Sequence, residues 1–191
     1  MYIAPENGFV FMHINKTGGR SLVQFFREHI PRLYSPGLHL VHKPYEKIKH
    51  LMPKGFSLVT IIRDPRERYE SLYSYRLLKY DRGDLSEQCI QAHCLPFNDW
   101  FPEQFDSDNI LDLPQEQWFC GMDLDSIFFL RLEYIKDDLA KIISLFDIKV
   151  EPGWTYPHLN KSPREPIQWN EENTELIDIK ERYLYTNYYK L

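Results

Sequence analysis

Three short apolar runs, each followed by a turn and a helical pattern, are the feature that most constrains the fold. The runs lie at 8–14, 56–62 and 127–132. The first is almost continuously apolar, as in a strand buried on both faces, the second is rich in β-branched residues, and the third also indicates a buried strand. Strands that alternate with helices predict an α/β protein with a mostly parallel sheet. In such a sheet ligands bind beyond the carboxyl ends of the strands, so the turns after the runs are candidate sites.

Helical patterns follow the runs and recur near the end of the chain. Apolar residues at helical spacing lie at 21–30, 69–80, 133–146 and after Asn170. The second of these helices has a clear start, because Asp64 suits the N-cap, Pro65 takes the first helical position and Glu67 completes a capping box. Residues 81–114 show no sustained period, which predicts irregular loops with short helices.

The charge of the chain is unevenly distributed. With 191 residues, of which 43% are hydrophobic, we expect a single domain over residues 1–191. The formal net charge of −5 excludes a protein whose whole surface binds nucleic acid. Residues 1–80, however, carry a net charge of +7, while residues 81–138 carry −11. The first segment favours an anionic ligand, although a solvated charged face explains such counts equally well.

Cysteine content and hydropathy indicate the compartment. No apolar run approaches the ~18–20 residues that span a bilayer, and no signal-peptide pattern opens the chain. The three cysteines form no CxxC and are too few for a disulfide framework. A Cys89–Cys94 bridge remains an alternative, but a reduced, cytoplasmic protein without a membrane partner is the simpler interpretation.

The turn after the first run has the composition of an anion-binding loop. The glycine pair Gly18-Gly19 lies between a strand and a helix, where backbone N–H groups converge on an anion. The polar side chains around this pair are those of Lys16, Thr17, Arg20 and Ser21. The spacing differs from the Walker A motif, because the lysine precedes the glycines. The alternative is an ordinary glycine-rich turn with a solvated lysine.

A second candidate follows the second run. Arg63 ends that strand, so its guanidinium is expected at the ligand edge of the sheet. Ser71, two turns into the following helix, offers a hydroxyl to the same anion. Taken alone, Arg63 and Asp64 are equally compatible with a pair that closes the turn. Two such turns within the positive segment favour a phosphate ligand that is held at two points.

These two motifs resemble those of a known family. HINKTGGRSL resembles the 5′-phosphosulfate loop of sulfotransferases that use 3′-phosphoadenosine 5′-phosphosulfate (PAPS), and RDPRERYESLY resembles their 3′-phosphate-binding motif. RLEYIKDDL and IKERYLYTNYYKL also resemble segments of carbohydrate-type members, which include the heparan sulfate 2-O enzymes and small bacterial relatives. The resemblance implies a P-loop-NTPase-like three-layer fold with a mostly parallel central sheet.

The resemblance also implies a reaction, in which a sulfuryl group passes from PAPS to a hydroxyl acceptor without a metal. Lys16 would stabilise the departing 5′-phosphate. The residues that would surround the same phosphate are Thr17, Gly18, Gly19, Arg20 and Ser21. Arg63 and Ser71 would bind the 3′-phosphate and so select PAPS over ATP. Lys161 and Arg164 lie in a loop that resembles the one closing over the nucleotide, with an ordinary polar loop as the alternative.

A hydroxyl acceptor needs a general base, and histidine suits neutral pH. Relatives carry a catalytic histidine between the two motifs, where His42 fits best and His39 is second. A metal held by His39 and His42 lacks a third ligand at suitable spacing. Three positions depart from the family pattern. Arg20 stands where Thr is usual, Asn15 where Pro is usual, and Asn187 or Thr186 where the last helix usually has Asp.

The acceptor and two other functions remain open. The acidity of residues 81–126, which we expect to form much of the acceptor pocket, disfavours a heavily sulfated polysaccharide and is compatible with a neutral sugar, a lipid-linked glycan or a cationic small molecule. Residues 115–120 either line the adenine or acceptor pocket or, at Trp118, belong to the core. The alternatives are an ATP-dependent small-molecule kinase of related fold and a nucleotide-binding module without catalysis. We expect a bacterial cytosolic enzyme that does not bind nucleic acid, of unspecified oligomeric state.

Overall fold

The chain forms two compact units. The computed structural model describes residues 1–105, 109, 111–157 and 166–189. The first unit, called the sheet unit, comprises Met1–Arg63 and Gln117–Leu159. The second, called the helical unit, comprises Asp64–Glu116 and Asn160–Leu191.

Four strands and eight α-helices are present in the described residues. The strands are β1 (Tyr2–Ala4), β2 (Phe9–Met12), β3 (Ser57–Ile62) and β4 (Ile127–Arg131). The helices are α1 (Gly19–His29), α2 (Tyr45–Ile48), α3 (Pro65–Asp81), α4 (Glu87–Cys94), α5 (Phe97–Glu103), α6 (Ile135–Leu145), α7 (Glu171–Lys180) and α8 (Arg182–Leu184). The mixed α/β class predicted from the sequence is confirmed.

The four strands form one sheet in the order β1-β2-β3-β4. β2, β3 and β4 are parallel, while β1 runs antiparallel to β2. The mostly parallel sheet is therefore as predicted. The antiparallel strand β1 was not predicted from the sequence. With three residues, β1 is too short to show the periodicity from which a strand is recognised.

The core of the sheet unit lies on the inner strands. Every residue of β2 is buried, and Phe25 and Phe26 of α1 belong to the same cluster. The prediction that the third strand is buried is wrong for Phe128 of β4, which is 36% exposed. β4 is the last strand of the sheet order and is covered less completely than its inner neighbours.

The helical unit begins with α3, whose start is as predicted. Asp64 Oδ1 accepts a hydrogen bond from the Glu67 backbone N–H at 3.1 Å, and Pro65 occupies the first helical position. Apolar residues of α3 pack with those of the following short helices and of α7 in one cluster. Its buried members are Tyr69, Leu72, Ala92, Phe97, Trp100, Phe101, Ile177 and Tyr185.

The final helix differs from the prediction of one continuous helix. Asn170 does cap α7, with its Oδ1 accepting from the Asn173 N–H at 2.8 Å. α7 then ends at Lys180, and a short α8 and a π-helical turn follow. The interruption falls at Glu181, which is fully buried because its carboxylate turns toward another segment of the same unit.

Cysteine state and hydropathy complete the description. All three cysteines are free thiols, so the alternative of a Cys89–Cys94 bridge is wrong. Both residues lie on α4, with Cys89 buried and Cys94 exposed. None of the helices in the described ranges has the length and apolar character required to cross a membrane.

Candidate functional site

Two of the basic residues that the sequence selected meet at one edge of the sheet. β2 and β3 are neighbouring parallel strands, so the segments that follow them leave the sheet on the same side. Lys16 lies in the turn after β2, and Arg63 directly follows β3. Arg63 Nη1 donates a hydrogen bond to the Lys16 carbonyl oxygen over 3.4 Å. The first motif and the arginine of the second are thus in contact within the sheet unit.

The turn between β2 and α1 has an unusual backbone. Lys16 has φ 65° and Gly18 has φ 84°, both in the left-handed region. That conformation is ordinary for glycine but rare for lysine, and such residues cluster at functional sites. Gly18 is also the N-cap of α1 and supplies no side-chain cap, and the first turn of α1 contains no acidic residue. No side chain of this helix therefore neutralises the positive end of its dipole.

Two hydroxyls of the motif hold the turn together. Thr17 is fully buried, and its Oγ1 donates to the carbonyl of Ile14 at 3.0 Å. Ser21 is buried and hydrogen-bonds the phenol of Tyr156, which itself donates to the Gly18 carbonyl at 3.0 Å. Burial raises the pKa of Tyr156 to about 12, so this phenol keeps its proton at neutral pH. Sequence reasoning did not select Tyr156, because it lies far along the chain.

The second glycine of the pair is required by a buried histidine. A Cβ atom on Gly19 would lie 1.9 Å from Cδ2 of His13. His13 is only 5% exposed and is the first residue after β2. Sequence reasoning did not assign it a role, although its place directly at the carboxyl end of a strand was a usable signal.

His42 is oriented by His13. The two imidazole centroids lie 4.3 Å apart, and His42 Nδ1 is 3.2 Å from the His13 carbonyl oxygen. A carbonyl only accepts, so Nδ1 carries the proton and Nε2 is the basic nitrogen. Burial lowers the pKa of His42, an effect that its hydrogen bond to His13 opposes and that the Met1 amino group and Arg20 reinforce. At neutral pH the ring is uncharged and able to accept a proton.

The second histidine candidate has a different environment. His39 is exposed on the 3₁₀ turn Leu38–Leu40. His42 is half-buried and has its ring fixed by a backbone carbonyl. Of the two candidates, His42 has the backbone contact that fixes its tautomer. Across the described ranges, no group of three or more His, Cys, Asp or Glu side chains is arranged to hold a metal ion.

His13 and His42 both line a pocket beside α1. Its volume is about 510 Å³, within the usual range for small-molecule sites. The lining residues come from β1, the turn after β2, one face of α1 and the segment before α2. They are Tyr2, His13, Arg20, Val23, Gln24, Arg27, Val41 and His42.

The sequence also singled out Ser71, Lys161, Arg164 and Trp118. Ser71 is buried on α3 in the helical unit. Lys161 and Arg164 fall outside the described residues. Trp118 is fully buried in the sheet unit, in agreement with the core interpretation of that segment.

Comparison of the chain with protein-family models, with curated proteins and with solved structures found no match. A functional conclusion therefore depends on the residues and geometry of the site. The sheet unit itself supplies the turn with Lys16, the contact with Arg63, the oriented imidazole of His42 and the adjacent pocket.

Proposed function

We propose that this protein is a sulfotransferase, which transfers a sulfuryl group from PAPS to a hydroxyl acceptor on a P-loop-NTPase-like three-layer fold. The contact between Arg63 Nη1 and the Lys16 carbonyl, at 3.4 Å, carries the proposal. It joins the two basic segments that follow β2 and β3, and two cationic points at one sheet edge suit a nucleotide with two separate phosphates.

The donor-binding part of the proposal uses the turn and the arginine. The uncapped start of α1 and the ammonium of Lys16 bind the 5′-phosphosulfate, because backbone N–H groups and a cation there favour an anion. Arg63 binds the 3′-phosphate that distinguishes PAPS from ATP. Thr17 and Ser21 act mainly by fixing the turn, since both hydroxyls are buried in hydrogen bonds within the protein.

The transfer step uses His42 and Lys16. The acceptor oxygen attacks sulfur, a new O–S bond forms, and the bond between sulfur and the bridging phosphate oxygen breaks. The acceptor proton passes to Nε2 of His42, whose neutral state and tautomer are set by burial and by the His13 carbonyl. Lys16 stabilises the charge that develops on the departing 5′-phosphate. The products are a sulfate ester and adenosine 3′,5′-bisphosphate, and His42 releases its proton to water.

Nucleotide preference tests the proposal. Thermal unfolding is measured with adenosine 3′,5′-bisphosphate and, separately, with ATP and Mg²⁺. We expect stabilisation by the bisphosphate, followed by transfer of label from ³⁵S-PAPS to a mixture of hydroxyl acceptors. Lys16→Ala is expected to lose transfer, whereas Lys54→Ala, an exposed lysine of the same unit, keeps it. Stabilisation by ATP and Mg²⁺ alone would support the kinase alternative and reject the proposal.

A further inference from the structure

The pocket beside α1 carries positive charge without an acidic residue in its lining. Arg20, Gln24 and Arg27 lie on one helical face that borders it. Within the described part of the chain neither arginine forms an ion pair, and the Arg27 guanidinium lies over the Tyr2 ring, 5.7 Å from its centroid. Both arginines are exposed and so are accessible to a ligand.

Carboxylates near this face have other partners. Glu28 accepts a hydrogen bond from Gln24 Nε2 at 2.9 Å, and Glu6 pairs with Arg32 at 3.2 Å. The effect of the remaining positive charge is visible at the floor of the pocket, because Arg20 adds to the effect of burial in lowering the pKa of both His13 and His42. An anion in the pocket would relieve that repulsion.

A buried polar atom gives an independent indication of a ligand. His13 lines the pocket, and among the described residues its buried Nδ1 has no hydrogen-bond partner. Buried polar atoms are nearly always satisfied, so this one indicates a ligand atom or a bound water beside the His13 ring. The walls formed by Tyr2, Val23 and Val41 are largely apolar and suit a compact carbon skeleton.

We propose that this pocket is the acceptor subsite and that it selects a small hydroxy acid, whose anionic group pairs with Arg20 and Arg27 while its hydroxyl reaches His42. The inference rests on the proposed sulfotransferase function and names its substrate class. The acidic segment 81–126 leads us to expect a neutral or cationic acceptor. The charges that select the acceptor here are instead the arginines of α1. Arg20 then acts on the acceptor side rather than only beside the 5′-phosphate.

Matched acceptors test the charge requirement. Transfer from ³⁵S-PAPS is measured to 4-hydroxyphenylacetate, to its uncharged amide and to 4-hydroxybenzenesulfonate. We expect kcat/KM to be at least ~10-fold higher for the two anions than for the amide, mainly through KM. Similar values for both anions identify general anion pairing, and a preference for the acetate alone identifies a carboxylate site. Equal values for acid and amide would overturn the inference.

Variants locate the effect. Arg27→Gln is expected to remove most of the preference for the acid, and Arg27→Lys to keep part of it. Arg32→Gln removes the same charge outside the pocket and should leave the preference unchanged. Retention of the full preference in Arg27→Gln would contradict the assignment, provided that its unfolding temperature matches that of the wild type.

Binding measurements separate this inference from the proposed function. Calorimetry on the same proteins measures adenosine 3′,5′-bisphosphate, and separately the acid and the amide. If the bisphosphate binds and the acid shows no advantage over the amide, the acceptor inference fails while the function stands. If the bisphosphate does not bind but the acid does, with dependence on Arg27, the pocket is an anion site and the sulfotransferase proposal fails.

Discussion

His42 donates its Nδ1–H to the backbone carbonyl of His13 over 3.2 Å, and this hydrogen bond leaves Nε2 as the basic atom of the ring. The donor of this bond lies just before α2, and the acceptor directly follows β2. A base whose tautomer is set by the backbone needs no acidic partner to orient it. Under the proposed function, His13 is therefore the residue that positions the base.

Removal of His42 tests its role as the base. His42→Ala is expected to lower kcat by about 10²–10⁴-fold, because the acceptor proton loses its receiver. Affinity for adenosine 3′,5′-bisphosphate should remain within the error of calorimetry. His39→Ala, which changes the exposed neighbour, should keep turnover near the wild-type level. Full turnover in a folded His42→Ala protein would reject the assignment.

The acidic limb of the pH profile provides a second test. Burial lowers the pKa of His42 from 6.5, so its neutral form persists below that pH. We expect kcat/KM to rise with pH through an apparent pKa below 6.5 and to be level at neutral pH. An acidic limb at 7 or above would contradict the electrostatic environment described for the ring.

Gly19 tests the packing beneath the turn. Gly19→Ala is expected to lower the free energy of unfolding by about 1–3 kcal/mol, because the new Cβ would lie 1.9 Å from Cδ2 of the buried His13 ring. In a His13→Ala background the same substitution should cost less, since the ring is absent. Denaturant unfolding of the four proteins measures this coupling. An equal cost in both backgrounds would show that the ring is not the obstacle.

Glu181 couples the stability of the helical unit to pH. Its carboxylate accepts backbone N–H bonds from Gln115 and Glu116 at 2.6 and 3.2 Å, and burial raises its pKa from 4.5 to about 7. The folded state therefore holds this proton more tightly than the unfolded state. The contribution of the group is fully present below pH 4.5 and is lost as the pH rises to about 7.

Substitution isolates that contribution. As the pH rises across this window, the unfolding free energy of the wild type is expected to fall relative to that of Glu181→Gln. Glu175→Gln, an exposed position on α7, should show no such trend. Denaturant titrations at several pH values provide the comparison, and a difference that is constant with pH would contradict the assignment.

Local signals account for the parts of the fold that were predicted. β2, β3, α1 and α3 each have an apolar period or a cap within their own residues, as with Asp64 at the start of α3. β1 was not predicted, because a strand of three residues is too short to show an alternating or continuous apolar pattern. The break after α7 could not be predicted, because it depends on the buried contact of Glu181 with a segment about 65 residues away in sequence.

The candidate site likewise has one part that the sequence predicts and another that depends on tertiary contacts. The proximity of Lys16 and Arg63 follows from two parallel strands that end at one edge, which a sequence pattern can indicate. The roles of His13, Arg27 and Tyr156 depend on which side chains fold against the turn and α1. Charge counts located a positive segment but could not distinguish arginines with acidic partners from those that face a pocket.

The proposed function requires that the edge formed by Lys16 and Arg63 bind a nucleotide through its 3′-phosphate. Isothermal titration calorimetry of adenosine 3′,5′-bisphosphate and 5′-AMP, against wild type and Arg63→Ala, tests it directly. We expect the bisphosphate to bind at least ~10-fold more tightly than AMP, and Arg63→Ala to abolish that advantage. Equal affinities for the two nucleotides in the wild type, or an advantage unchanged in folded Arg63→Ala, would contradict the claim.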